Sequence, residues 1–158
     1  MHYILLIGTI FTSDQYIKRR MDADLTRKGQ WQKAGGKIIF KKYCNKGAAG
    51  NFLKDKPRFL LLLHSLSLSA VFASLLYALP KKRLQTTKLG LSFFAGGGLS
   101  NLYERLANGY VTDYISFGFG PKWFQKTVFN AADFFVFAGA LLCVAQSFEK
   151  KNKERFQL

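Results

Sequence analysis

The sequence predicts an all-α membrane protein, a four-transmembrane-helix bundle with a small β element in its first loop. Two apolar blocks carry this prediction. Residues 59–79 contain no formally charged side chain, and residues 128–148 contain a single acidic or basic side chain, Asp133. A helix needs about 20 predominantly apolar residues to cross the hydrocarbon core of a bilayer. Each block is therefore long enough to be a membrane span.

The other two spans are less uniform. Residues 84–103 are apolar and glycine-rich, and Lys88 lies near one end, where its long stem can carry the ammonium group to the interface. Residues 1–17 are shorter, with Asp14 in the last turn before a basic run. A cleaved signal peptide is the less favoured alternative there, because no basic stretch precedes the apolar run and no small-x-small pattern follows it. We expect one domain over residues 1–158.

The first loop, residues 18–58, holds thirteen Lys and Arg against three Asp. Within it, residues 37–43 are rich in β-forming side chains, and residues 45–51 are turn-forming and small. We expect a small sheet or hairpin at the membrane surface, because exposed backbone cannot lie in hydrocarbon. The net charge of +15 indicates anionic membrane lipids as partners, and a nucleic-acid partner is not required once apolar spans are present.

Charge alone leaves the orientation open. The basic connection at residues 80–83 and the basic tail at residues 150–155 lie on one side of a four-span protein, and the positive-inside rule makes that side cytoplasmic. The basic first loop lies on the opposite side and favours the reverse. The chain has two histidines and two cysteines without metal-site spacing, so we expect no metal and no cofactor.

Two aspartates are the leading candidates for chemistry. An ionisable group within a span is costly, which makes Asp133 a functional candidate, and Asn130 precedes it by the three residues that put two side chains on one helical face. Asn101 and Arg105 share a face in the same way, and Asp113 follows near an interface. Glycines and a proline between the two aspartates allow the chain to turn back and bring the carboxyls together.

Two facing carboxyls can share one proton, so that one activates water and the other donates to a peptide carbonyl. That is the chemistry of an aspartic protease. The alternative from residue chemistry is that Asp113 is an ordinary interfacial acid and Asp133 forms a buried ion pair with Arg105 or Lys18. The residues alone leave both interpretations open.

Four motifs occur in order along the chain, from the first span through the first loop to the fourth span. They are Asp14-Gln15-x-x-Lys18, Asn45-x-Gly47-Ala48-Ala49, Gly97-x-x-x-Asn101-x-x-x-Arg105-x-x-x-Gly109-x-Val111-x-Asp113, and Phe129-Asn130-x-Ala132-Asp133. This set resembles that of the lipoprotein signal peptidase (signal peptidase II) family, although Glu104 stands where the family commonly has Asp.

The resemblance implies a membrane aspartic endopeptidase that removes signal peptides from diacylglyceryl-modified prolipoproteins, cutting before the lipidated cysteine. It implies a monomer in the bacterial cytoplasmic (inner) membrane, with the active site and the β element on the extracytoplasmic side. The catalytic positions correspond to Asp113 and Asp133. The positions that bind substrate or support the pair correspond to Asp14, Lys18, Asn45, Gly47, Asn101, Arg105 and Asn130, with Arg105 expected as the counter-charge.

Two rivals remain beside this interpretation. A non-enzymatic four-helix scaffold or small transporter would use its intramembrane acids for packing or proton movement, and an inactive paralogue would keep the fold without cleavage. Cleavage of a lipidated precursor distinguishes both from a peptidase.

Overall fold

The computed structural model describes residues 2–48 and 52–155, with side chains described as far as Phe148. Most of the chain is helical, and three strands form one small sheet. The elements in order are α1 (His2–Lys28), β1 (Trp31–Lys33), β2 (Ile38–Asn45), α2 (Pro57–Ala78), a 3-10 turn (Lys82–Leu84), α3 (Gln85–Asn108), β3 (Val111–Phe117), α4 (Lys122–Lys126) and α5 (Ala131–Arg155).

The first helix is longer than the sequence predicts. The span expected at residues 1–17 continues as α1 to Lys28. Residues 18–28, which the sequence assigned to the basic loop, therefore form about three further turns of helix. The reason is that the polar second half of α1 contains no Gly or Pro before Gly29, which has a left-handed backbone with φ of 74°. Asp14 and Lys18 therefore lie in the middle of a helix, and both are buried.

The sheet draws on two separate parts of the chain. β1 and β2 form the hairpin that the first loop predicts, but β3 comes from the connection between α3 and α5 and pairs antiparallel with β2. The register sets Tyr43 opposite Asp113, after an irregularity between Phe40 and Tyr43. The β element predicted in the first loop is therefore present, but the sheet extends beyond that loop, and Asp113 lies on its third strand.

Helix α3 is the centre of the bundle and contacts α1, α2 and α5. Its glycine run allows close packing against neighbouring helices. A Cβ atom added at Gly97 would lie 2.5 Å from the carbonyl oxygen of Ala132 in α5, and one added at Gly96 would lie 2.8 Å from Cβ of Ile10 in α1. Small residues let helices approach this closely in lipid, as the glycine run predicts.

Within the described residues, two helices are long and apolar enough to cross a membrane: α2, and the Ala131–Phe148 part of α5. They correspond to the second and fourth predicted spans. Both present large apolar side chains outward, such as Leu66 (60% exposed) and Leu141 (67% exposed). Soluble proteins rarely expose contiguous apolar surface of this kind, so these faces fit contact with lipid.

Candidate active site

The structure brings Asp113 and Asp133 to one cavity of about 210 Å³. Asp113 projects from β3 and is 2% exposed, whereas Asp133 lies in the first turn of α5. The cavity wall also contains three more of the residues that the sequence singled out, namely Asn45, Asn101 and Arg105. The two acids therefore meet at the end of the bundle where the sheet joins the helices.

Each oxygen of the two carboxyl groups accepts one N–H group. Asp113 accepts from Nδ2 of Asn45 at 2.9 Å and from Nδ2 of Asn130 at 2.7 Å. Asp133 accepts from Nδ2 of Asn101 and from the backbone N–H of Asn130, both at 2.9 Å. Asn130 thus holds both acids at once, one through its side chain and the other through its backbone.

The three asparagine amides have fixed orientations, because each acceptor oxygen takes a hydrogen bond from another donor. The backbone N–H of Gly47 donates to Oδ1 of Asn45 at 3.0 Å. The backbone N–H of Asp133 donates to Oδ1 of Asn130 at 3.0 Å, and the Lys18 ammonium donates to Oδ1 of Asn101 at 2.7 Å. In each amide the NH2 end is consequently left to face a carboxyl group.

Asn130 and Asp133 do not share a helical face, although their spacing predicted that they would; they cap the start of α5 through hydrogen bonds in both directions. The sequence predicts a span from residue 128, but α5 begins at Ala131, so Asn130 precedes the helix. Its side chain accepts from the backbone N–H of Asp133, and the Asp133 carboxylate accepts from the backbone N–H of Asn130. This capping box satisfies two helix-end donors and fixes the rotamer of Asp133.

Asp14 and Lys18 connect α1 to the same region. The Asp14 carboxylate accepts from the backbone N–H of Ala132 in α5 at 2.8 Å and from the Ser100 hydroxyl in α3 at 2.5 Å. The Lys18 ammonium lies 2.9 Å from carboxylate oxygens of both Asp14 and Glu104. Asp14 therefore helps to cap α5, and Lys18 is a buried cation between two acids.

Sequence reasoning missed part of this network. Glu104 was noted only as a departure from the family pattern, yet it is buried and accepts from both the backbone N–H and the hydroxyl of Thr112, the residue before Asp113. Ser100 and the Tyr114 hydroxyl, which accepts from the backbone N–H of Ala131, carried no motif signal. For Glu104 the available signal was an ionisable side chain next to a span.

Arg105 lies close enough to Asp113 and Asp133 for their charges to act on its guanidinium, but it makes no direct ion pair with either acid. It borders the cavity, and its Nη2 donates to the carbonyl oxygen of Gly47 at 2.6 Å. Lys18 instead pairs with Asp14 and Glu104, and the ion pairs of the described side chains leave Asp133 out. Gly47 thus has a structural link to α3, while Ala49 of the same motif lies outside the described residues.

The environment of Asp113 favours its protonated form. Burial raises the pKa of this carboxyl, the negative charge of Asp133 raises it further, and the hydrogen bonds from Asn45 and Asn130 oppose the shift. The resulting pKa is about 7. At neutral pH the pair can therefore hold a proton at Asp113, as acid–base catalysis by two carboxyls requires.

A larger apolar groove of about 740 Å³ adjoins the cavity. The two share Asn45, Thr127, Val128, Phe129 and Phe137 in their walls. The groove is lined mainly by aromatic side chains, among them Phe117, Phe119, Trp123, Phe124 and Phe134. An apolar molecule lying in this groove would have one end beside the two acids.

Metal ligation has no candidate cluster in the part of the chain that the structure describes, where no three His, Cys, Asp or Glu side chains are grouped as ligands. The buried acids of the site instead have hydrogen-bond donors or a cation of the protein as partners. Amide, hydroxyl and ammonium groups contact Asp14, Glu104, Asp113 and Asp133.

Known proteins match this sequence over nearly the whole chain. Residues 6–149 match the family model described as signal peptidase (SPase) II. The lipoprotein signal peptidase of Caldicellulosiruptor bescii is 29% identical over 156 residues, covering 99% of this chain and 97% of that protein. The lipoprotein signal peptidase of Pseudomonas aeruginosa (PAO1) is 31% identical over 145 residues, covering 90% of this chain and 85% of that protein.

Solved structures share the fold. Two structures described as bacterial membrane enzymes superpose with TM-scores of 0.76 and 0.74. The first is 19% identical and covers 96% of this chain and 90% of that one, and the second is 22% identical and covers 91% and 90%. The helix bundle with its small sheet is therefore an arrangement already known among membrane enzymes.

Proposed function

Because this chain belongs to the signal peptidase II family, we propose that it is an aspartic endopeptidase that removes the signal peptide from diacylglyceryl-modified prolipoproteins. It cuts before the lipidated cysteine, and Asp113 and Asp133 are its catalytic residues. The observation that carries this proposal is the double contact of Asn130, whose side chain and backbone hold the two carboxyl groups in one cavity. The reaction requires no cofactor.

The surroundings of the two acids support different roles. Asp133 lies in the first turn of α5, where the helix dipole favours negative charge, so it acts as the general base. Asp113, with its pKa raised to about 7 by burial and by the charge of Asp133, retains the proton and acts as the general acid. Asp133 takes a proton from water as its oxygen attacks the scissile carbonyl, and Asp113 donates its proton to the carbonyl oxygen.

The resulting tetrahedral diol then collapses. Asp133 returns its proton to the leaving amide nitrogen, the carbon–nitrogen bond breaks, and Asp113 recovers a proton from the diol hydroxyl. The products are a new carboxylic acid on the signal peptide and a free amine on the lipidated cysteine. The pair ends the cycle with one proton, as it began.

The neighbouring residues position this pair rather than exchange protons. Asn45, Asn101 and Asn130 hold the carboxyl oxygens, as their donor distances of 2.7–2.9 Å indicate. Asp14 and Lys18 brace α5 and Asn101 from α1. Arg105 and Gly47 tie the first loop to α3 and so support Asn45 above the cavity.

The aromatic groove suits the apolar part of the substrate. Its volume of about 740 Å³ lies within the range of roughly 300–1,000 Å³ typical of ligand pockets, and it shares a wall with the cavity of the two acids. A lipidated or otherwise apolar segment held there would direct the adjacent peptide bond at the pair. Binding away from the reacting atoms then contributes to orientation.

We propose four membrane spans, built on α1, α2, α3 and α5. The extra polar length of α1 and the sheet extend beyond the hydrocarbon on the extracytoplasmic side of the bacterial inner membrane, together with the two acids. The basic first loop then lies against anionic lipid headgroups. The protein works as a monomer, since both acids and their supports come from one chain.

The decisive experiment replaces each acid by its amide. Asp113→Asn and Asp133→Asn preserve shape, and each is expected to reduce cleavage of a purified lipidated precursor by at least about 10²- to 10⁴-fold, because proton transfer is lost. Asp24→Asn, at a half-exposed acid in α1 away from the cavity, is the matched control and should cleave normally. Retained binding of the precursor shows that the variants are folded. Normal cleavage by both site variants would refute the proposal, as would a wild-type protein that cuts no precursor.

A further inference from the structure

A second, cationic pocket lies outside the cavity of the two acids, between the start of α2 and the end of α3. It has a volume of about 150 Å³. Three cations line it, Lys46, Arg58 and Arg105. The other described residues of its wall are Pro57, Leu60, Leu61 and Gly109, and none of these is acidic. The pocket therefore concentrates positive charge around a space large enough for a small anionic group.

None of the three cations forms an ion pair with a described carboxylate. Among the side chains of residues 2–48 and 52–148, the ion pairs are made by Lys18, Lys28 and Lys42. Arg105 uses Nη2 on the Gly47 carbonyl, while its buried Nε has no hydrogen-bond partner. A buried donor without a partner costs about 1–3 kcal/mol, so an acceptor entering this pocket would gain a prepared site.

Part of the pocket wall is apolar. Leu60 and Leu61 of α2 contribute to it beside Arg58. α2 is one of the two helices suited to cross the membrane, and its first residues form this pocket. A ligand that fills the pocket and extends along α2 into the lipid would have an anionic head and an apolar tail.

We propose that this pocket binds the phosphodiester headgroup of an anionic phospholipid, with its acyl chains along α2. Arginine side chains suit phosphate because their N–H groups make paired, charge-assisted hydrogen bonds to its oxygens. Arg105 borders both this pocket and the cavity of the two acids, and it also holds Gly47. A bound phosphate would fix Arg105 and, through it, the loop that carries Asn45. The site stands whether or not the two acids cut peptides.

Lipid retention tests the site directly. The full chain is purified in detergent with equal phosphatidylglycerol and phosphatidylcholine, and bound lipid is counted by native mass spectrometry. We expect one retained phosphatidylglycerol, favoured about tenfold or more over phosphatidylcholine, because the three pocket cations repel the choline ammonium group. Lys46→Gln with Arg58→Gln should abolish that preference. The control, Lys33→Gln with Lys37→Gln, removes the same charge from exposed positions of the same loop and should keep it.

Three outcomes would overturn the proposal. Equal retention of the two lipids, which both carry a phosphodiester, would remove the preference for a net negative headgroup, and equal loss in both double variants would reduce that preference to general charge attraction. Inorganic phosphate that binds while the lipid does not would reassign the pocket to a soluble anion. Thermal unfolding is a second measurement of the same site. Phosphatidylglycerol should raise the unfolding temperature of the wild type and the control but leave that of the Lys46→Gln, Arg58→Gln variant unchanged.

Discussion

The two ends of α3 contact their neighbours in different ways. In its first half and centre, Gly90 and Gly97 let the backbone of α5 approach so closely that an added Cβ would lie 2.7 Å or less from a carbonyl oxygen. In its last two turns, Asn101, Glu104 and Arg105 make hydrogen bonds to other elements through their side chains. In the first region, the lack of side chains on glycine allows a short distance between α3 and α5. In the second region, polar side chains make the hydrogen bonds of the candidate active site.

The two regions depend on each other. Gly97 and Asn101 are one helical turn apart and share a face of α3. Gly97 meets Ala132, and Asn101 donates to Asp133, the next residue of α5. The close packing of glycine against α5 is therefore what brings the asparagine within 2.9 Å of the acid.

The largest expected effect comes from the polar region. Lys18→Met leaves Asp14 and Glu104 buried without their cation, and removing one partner of a buried ion pair costs about 3–5 kcal/mol. The free energy of unfolding in micelles measures this loss. Lys28→Met is the matched control, because Lys28 pairs with Asp24 on the surface at 3.8 Å and such a pair contributes at most about 0.5 kcal/mol. Equal stability of the two variants would contradict a structural role for the buried network.

A smaller effect is expected in the packing region. Gly97→Ala forces α3 and α5 apart, because the new Cβ would lie 2.5 Å from the Ala132 carbonyl oxygen, and overpacking of this kind costs about 1–3 kcal/mol. Cleavage should fall as well, since Ala132 precedes Asp133. Gly8→Ala in α1 is the control, because its added Cβ meets no atom within 4 Å. If the two alanine variants are equally stable and active, the distance between α3 and α5 is not set by Gly97.

The sequence predicted features that depend on local pattern. Two apolar blocks gave α2 and the main part of α5, and the β-forming run at residues 37–43 lies almost entirely within β2. The glycine run correctly indicated close packing. The ordered motifs also predicted that Asp113 and Asp133 lie near each other, and the structure places Asn45, Asn101 and Asn130 beside them.

The features that the sequence did not predict depend on distant partners. β3 exists because it pairs with β2 across about 70 residues of chain, and a short strand after α3 has no periodic signal of its own. Glu104 resembled a surface acid until Lys18 and Thr112 surrounded it. Arg105 lines the cavity of the two acids, as expected, but its hydrogen bond to the Gly47 carbonyl depends on a distant loop that the sequence does not place.

The smallest change, and the most specific, is a shift in titration. The pKa of Asp113 is raised to about 7 by burial and by the charge of Asp133, so its proton is present below that pH and lost above it. Since the protonated acid is the form that donates to the carbonyl, cleavage should decline as pH rises above about 7. Asp24 lies outside the cavity of the two acids, so Asp24→Asn should leave the decline of cleavage above about pH 7 unchanged.

Titration of the Asp113 carboxyl itself tests the shared proton most directly. Infrared difference spectra of the wild type and of Asp113→Asn identify the protonated carboxyl band, which should disappear near pH 7 in the wild type. In Asp133→Asn, the same band should disappear at lower pH, because the neighbouring charge has gone while burial persists. An Asp113 band that titrates at the same pH with and without Asp133 would show that the two acids do not interact, and the proposed catalytic pair would be wrong.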